Sequence, residues 1–223
     1  MEKVSARVEF DHELEQLHLD MIRMGGLIED AIDKSIVALE KRDRELARDI
    51  IQNDKAIDDL DRSIETKCLR LLLRQQPVAG DLRAISTALK MITDMERIGD
   101  QAADIADVSL RFDDKPFIKK FEHIPLMANI ASSMVKDSIN AFVKSDIESA
   151  KEIMKRDDEV DNLFETVKQD IVAIMQKSVE DVDQAIDFLQ IAKYLERIAD
   201  HAVNICEWVI FSVTGEHKNT KIL

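Results

Sequence analysis

The sequence predicts an all-α protein: two tandem, pseudo-symmetric three-helix bundles, six long antiparallel helices in all. Three observations carry that prediction. Only 5 Gly and 3 Pro interrupt 223 residues, too few turn residues for a protein built of strands, and no β-rich run bounded by turns is present. One Trp and one Tyr occur, while Glu, Lys, Leu, Ala, Ile and Asp are abundant, the composition of helices. The chain also repeats itself: DKSIVALEKRDRELARDIIQNDKAIDDL, from Asp33, is answered 103 residues later by KDSINAFVKSDIESAKEIMKRDDEVDNL.

Each helix has its own warrant. The first, Val8 to Glu40, carries Leu14, Leu17, Met21, Met24 and Ile28 on one stripe. Lys41-Arg42-Asp43 is a turn, with Asp43 as N-cap of the second helix, Arg44 to Arg74. Ile50, Ile57, Ile64 and Leu71 mark its buried seam, and Gln75-Gln76-Pro77 stops it. The third covers Gly80 to Arg111 and ends at Phe112-Asp113-Asp114-Lys115-Pro116. The fourth runs from Pro125 to Lys144. Ser145-Asp146-Ile147-Glu148 reads as a capping box, with Ser145 as cap, opening a fifth helix that reaches Lys177. The sixth spans Glu180 to Val213, with Gly215 as its stop. The repeat divides the chain into residues 1–115 and 116–223, joined by a linker from Asp113 to Pro125. The repeat offset changes from 103 to 100 residues near Pro77, in a turn.

A net charge of -14 excludes nucleic acid and anionic membranes as natural partners and favours basic protein faces or cations. Cys68 and Cys206 form no CxxC pair and read as small buried residues in a reducing compartment. No signal-peptide core and no membrane-length apolar run is visible, so a cytoplasmic protein without an integral membrane segment is expected.

The informative anomaly is carboxylates on apolar seams. Leu82, Leu89 and Glu96 recur by sevens, as do Val182, Leu189 and Glu196. At 100° per residue each glutamate falls on its predecessors' strip, with Asp100 or Asp200 beside it and Asp107 or Glu207 extending the row. Asp54 and Asp58 flank the Ile50–Ile57 seam, and Asp157 and Asp161 flank Ile153–Val160. Each half thus carries D-x-x-x-D on one helix and E-x-x-x-D on the next. Partly burying four carboxylates costs several kcal/mol apiece unless they are compensated (order of magnitude). Protons or arginine can compensate, although Arg97 and Arg197 project about 100° from the neighbouring glutamates. A multivalent cation satisfies more oxygens at once. All-oxygen donors suit Mg²⁺, Ca²⁺, Mn²⁺ or iron, and bridging carboxylates suit more than one ion. Glu15-x-x-His18 has the spacing of a di-iron bundle but no repeat partner, and reads as surface. A carboxylate-bridged di-metal oxidase or metal-storage bundle is therefore the alternative to a regulatory scaffold. No Gly-rich phosphate loop and no nucleophile triad is visible.

ERIGDQAADIAD and ERIADHAVNICE, one in each half, and the opening FDHELEQLHLDMIRMG resemble the PhoU family of phosphate-specific transport accessory proteins. The resemblance covers nearly the whole chain. It implies tandem three-helix bundles, a cytoplasmic homodimer and a non-enzymatic negative regulator of the phosphate regulon. Its implied partners are the phosphate ABC transporter ATPase and a membrane sensor histidine kinase. It also implies metal, as iron clusters with Mg, Mn, Ca or Zn as alternatives. The ligands would be Asp54, Asp58, Glu96 and Asp100 in one site and Asp157, Asp161, Glu196 and Asp200 in the other. Asp104 and Asn204 match the next family position, where Asn is usual. The aspartate adds a negative charge to the first site.

Overall fold

The computed structural model describes residues 2–74, 79–112, 117–118, 123–178, 180–218 and 220–221. Six long helical rods make up almost all of it. They are α1 (Glu2–Lys41), α2 (Arg44–Arg74), α3 (Ala79–Ser109), α4 (His123–Lys144), a fifth rod broken into α5 (Ile147–Lys155) and α6 (Asp157–Met175), and α7 (Val182–Thr214). Gln75-Gln76-Pro77 and most of the Asp113–Pro125 linker, with the expected 115/116 boundary, lie outside the described residues.

The duplication is visible in backbone detail. Arg42 and Ser145, repeat-equivalent residues, both take positive φ, 55° and 52°. After each turn an aspartate caps the next helix. Asp43 Oδ1 accepts from the amides of Glu45 and Leu46 at 3.1 and 3.0 Å, and Asp146 Oδ1 accepts from Ser149 at 3.0 Å. The capping box expected at Ser145 is therefore displaced by one residue: Ser145 makes the left-handed turn, so Asp146 supplies the cap. Gly215 closes α7 at φ 77°, its amide donating to Phe211 O. Beyond it stands a two-residue antiparallel ladder, β1 (Glu216–His217) with β2 (Thr220–Lys221), which the sequence pattern did not announce.

The halves meet through two antiparallel helix pairs. Between α3 and α7, Arg83 Nε donates to Ser212 O near one end and Arg111 Nη1 donates to Gln190 Oε1 near the other. Between α1 and α4, the Asp33–Ser132 hydrogen bond and the Lys136–Glu29 ion pair join positions that the repeat makes equivalent. α2 packs outside α1 and α3, and α6 packs outside α7. The main core cluster runs from Phe10 to Val209 through both halves, and a small separate one of Ala38, Ala47, Ile50 and Ala106 lies in the first. Cys68 and Cys206 are free and buried, each thiol pushed up to about 12, by desolvation first.

Candidate functional site

The floor of α3 is apolar: Ile85, Ala88, Met91, Ile92, Met95, Ile98 and Ala102 are buried. Leu82, Leu89 and Glu96 stand half-buried beside that floor. The sevenfold spacing therefore traces the rim of the seam. A rim suits a carboxylate better than a floor, since one edge keeps water while the methylenes touch the core.

In the first half, Asp54 and Asp58 of α2 face Glu96 and Asp100 of α3. The helices approach closely at Gly99: a Cβ there would stand 3.0 Å from Ile57 Cδ1 and 3.3 Å from Asp54 Oδ1. Burial, reinforced by Asp100, Asp58 and Asp104, pushes the Asp54 carboxyl up to about 6. Burial raises Glu96 too, with Asp100 adding to it. Asp61, one turn beyond Asp58, is raised by burial and by Glu65. Sequence reasoning passed it over, although its spacing by seven from buried Cys68 places it on the same seam.

The second half repeats the arrangement with Asp157 and Asp161 of α6 against Glu196 and Asp200 of α7. Burial, then Asp161, Asp200 and Glu196, push Asp157 up to about 6. Asp161 and Asp200 are both more open and both raised, by desolvation first and then by Glu196. Asp157 Oδ1 is buried and has no hydrogen-bond partner. In each half the four candidates are thus brought together around one deep aspartate.

Among the described residues, no three His, Cys, Asp or Glu side chains stand in ligating geometry. Several of these carboxylates are paired locally. Arg97 reaches both Glu96 (3.6 Å) and Asp100 (3.4 Å), Arg62 reaches Asp58 (3.5 Å), and Lys193 reaches Glu196 (2.5 Å). The expectation that Arg97 points away from its glutamate is corrected here. A long side chain bridges the 100° of rotation, and Asp100 is its i+3 neighbour.

Asp104 and Asn204 lie at the junction of the halves. Asn204 Nδ2 donates to Asp94 Oδ1 at 3.2 Å, beside a His201 Nδ1 contact to the same oxygen at 2.9 Å. Asp104 accepts from the Tyr194 hydroxyl, which itself accepts from Gln190. These are one pair seen twice, since Asp94 corresponds to Tyr194 and Asp104 to Asn204. Asp104 still raises Asp54, whereas Asn204 carries no charge to raise Asp157.

Asp107 and Glu207 leave the row. Asp107 is exposed and pairs with Arg111, and Glu207 pairs with Lys218 at 3.1 Å. His201 is half-buried against Asp94. His18 is also half-buried, edge-on to Phe142, with its pKa lowered by desolvation, so it is not the surface residue expected. Glu15 lies near His12 instead, at 4.0 Å.

A family model described as "PhoU domain" matches the chain twice, over residues 21–109 and 124–209. The PhoU homologue of Clostridium acetobutylicum is 42% identical over 208 residues, covering 93% of this chain and 95% of that one. The chain belongs to the PhoU family. The Escherichia coli PhoU protein is 31% identical over 216 residues, covering 93% of this chain and 86% of its own. Crystal structures of PhoU from Streptococcus pneumoniae and Pseudomonas aeruginosa superpose with TM-scores of 0.88 and 0.89. Both are 31% identical to this chain, covering 95% and 93% of it and all of themselves. The doubled family match falls on the two halves that carry the acidic clusters. No helix among the described residues is long and apolar enough to cross a membrane.

Proposed function

We propose that the protein is a cytoplasmic, non-catalytic regulator of phosphate uptake and phosphate-starvation signalling. In this reading a homodimer links a phosphate ABC transporter ATPase to a sensor histidine kinase and restrains the starvation response. The observation that carries it is full-length kinship. The Escherichia coli relative is a "Phosphate-specific transport system accessory protein", and the Streptococcus pneumoniae structure is a "phosphate transport system regulatory protein". A pull-down against the transporter ATPase and the kinase tests it. Capture of both supports the reading, and capture of neither removes it.

The same reading places metal on the two clusters. The donor chemistry supports it, with the side chains short of ligating geometry: four carboxylates per half sit on facing helices, Asp54 and Asp157 are driven toward their neutral forms, and Asp157 Oδ1 lacks a partner. Asp54, Asp58, Glu96 and Asp100 would hold one centre, with Asp104 at its edge. Asp157, Asp161, Glu196 and Asp200 would hold the other, and Asn204 stands apart from it. Bound ions supply positive charge that fastens α2 to α3 and α6 to α7. Hard, oxygen-seeking cations match these donors: iron first, with Mg, Mn or Ca next, while Zn usually takes nitrogen or sulfur as well. Elemental analysis of protein purified without chelator identifies the ion. Titrating inorganic phosphate into metal-loaded and stripped protein tests whether phosphate is read at the clusters. Heat with the loaded form alone supports this, and equal or absent heats refute it.

A further inference from the structure

The chain leaves each central helix, α3 and α7, through a segment anchored by one ring. Counted on at the repeat offset of 100, Phe117 and His217 are equivalent positions. Phe117 packs edge-on against Phe112 and Phe188, with ring centroids 5.5 and 5.4 Å apart, and Arg42 lies over it. That anchor is apolar and does not titrate.

The second anchor is different. Past Gly215 the chain reverses and β1 packs against α7. The His217 ring stacks on the Trp208 indole, with centroids 4.0 Å apart and planes at 23°, and Phe211 meets both rings edge-on. Val108 stands at the first-half position of Trp208, so this aromatic seat belongs to the second half alone. His217 Nε2 lies 3.9 Å from Glu207 Oε2. Both atoms are buried, and neither has a hydrogen-bond partner. Lys218 Nζ approaches the same oxygen at 3.1 Å, outside hydrogen-bonding geometry. What this buried acceptor lacks is a donor on the imidazole that faces it.

A proton on His217 supplies one. Both ring nitrogens then donate, whichever tautomer came before. The new charge also suits the indole face that the ring already covers. The charged groups around His217 are Glu207 on α7, Lys218 in its own turn, and Lys90 and Asp94 on α3, all lining one groove. Lys218 is exposed and Lys90 Nζ is 6.0 Å from the indole centroid, so water and salt screen both cations. Asp94 is engaged by His201 and Asn204. Glu207, whose buried oxygen faces the ring directly, decides the sign.

We propose that the C-terminal hairpin is a proton-operated latch. Protonated His217 seats on Trp208 and Glu207 and holds the hairpin down. Loss of the proton loosens it and uncovers Trp208 and the groove between α3 and α7. Because docking prefers the protonated ring, it is complete at low pH and is lost as pH rises.

Trp208 is the chain's one tryptophan, so its fluorescence reads the latch directly. Acrylamide quenching of the full-length protein, with chelator present, should be at least about twofold stronger at about pH 8 than at about pH 5, the span over which imidazole changes charge. His217→Phe keeps an aromatic stack, as Phe117 does in the first half, and should make quenching independent of pH. Glu207→Gln should shrink the pH effect, since it removes the charge that favours the proton. His201→Gln should leave the effect intact, because His201 pairs with Asp94. Quenching that does not change with pH in the wild type, a pH effect that persists in His217→Phe, or one lost in His201→Gln overturns the proposal. Circular dichroism at both pH values checks each fold. His217 lies outside the helices, so the wild type and His217→Phe decide should another variant not fold. Neither His217 nor Glu207 is a candidate metal ligand and metal is absent throughout, so failure here leaves the regulator reading untouched.

Discussion

In the first half, the four clustered carboxylates of α2 and α3 have Asp61 and Asp104 within electrostatic reach. In the second half the corresponding places hold Phe164 and Asn204, and Lys193, which replaces Thr93, pairs with Glu196. Gly99 lets α2 approach α3 closely, whereas α7 carries Ala199 at the same point. One ancestral arrangement has thus diverged into a first-half cluster with more carboxylates, between close helices and answered by Arg62 and Arg97, and a second-half cluster with fewer, answered by Lys193. Equal geometry does not guarantee equal affinity, because cation binding follows the number of uncompensated charges.

The largest test of that difference is metal-dependent stability. Saturating metal at a hundredfold excess over Kd should stabilise each occupied site by about 2.7 kcal/mol. Glu96→Gln with Asp100→Asn should abolish more of the metal-induced rise in Tm than Glu196→Gln with Asp200→Asn. Equal losses would show that Asp61, Asp104 and Lys193 do not matter to affinity. The same first-half pair of substitutions removes the ion pairs of Arg97 with Glu96 and Asp100 together with the repulsion between the two carboxylates, so the stability of stripped protein, read from its Tm, should change by less than about 1 kcal/mol.

Next in size is Gly99→Ala. The added methyl presses on Ile57 and Asp54 and should cost about 1–3 kcal/mol by thermal melting, the usual range for overpacking. The reverse change, Ala199→Gly, creates no clash and should cost about 1 kcal/mol through helix propensity.

Smaller still is the pH dependence of stripped protein. Asp54 and Asp157 titrate near 6 when folded, against a reference value of 3.8. Their protonated forms favour folding. That contribution is complete below the unfolded value and is lost as pH rises through about 6. Solvent screens both carboxyls, so each contributes about 1 kcal/mol over this window. Asp54→Asn and Asp157→Asn should each flatten the profile by a similar amount. Metal should flatten it further, because it replaces the protons.

The smallest contrast is expected at the caps. Asp43→Ala and Asp146→Ala should lower Tm slightly and by similar amounts, since the two turns share one geometry. A marked inequality would mean that the halves differ in cooperativity as well as in charge.

Much of this was legible in the residues. Ile50, Ile57, Ile64 and Leu71 announced the seam of α2, and all four are buried. Asp43 announced its cap. The pairing of D-x-x-x-D with E-x-x-x-D followed from the repeat, because two helices that share a seam bring its edges together. Ser145 misled because a capping-box pattern does not report which residue takes the left-handed turn. Asp61 was missed because Phe164 replaces it in the second half, so no repeat drew notice to it. The pairing of Asn204 with Asp94 and of Asp104 with Tyr194 depends on the register of α3 against α7, which no local pattern encodes.

The sequence by itself determined the helices, their buried faces, the duplication and which carboxylates sit beside the core. Those are consequences of a 3.6-residue period and of a few turn residues, and they act over one or two helical turns. Only the tertiary structure decided that the carboxylates rim their seams, that Arg97 and Lys193 reach back to them, and that Arg156 reaches across to Asp137 of α4. Those outcomes depend on how closely rods distant in sequence approach one another, and that distance is set by side chains on both partners at once.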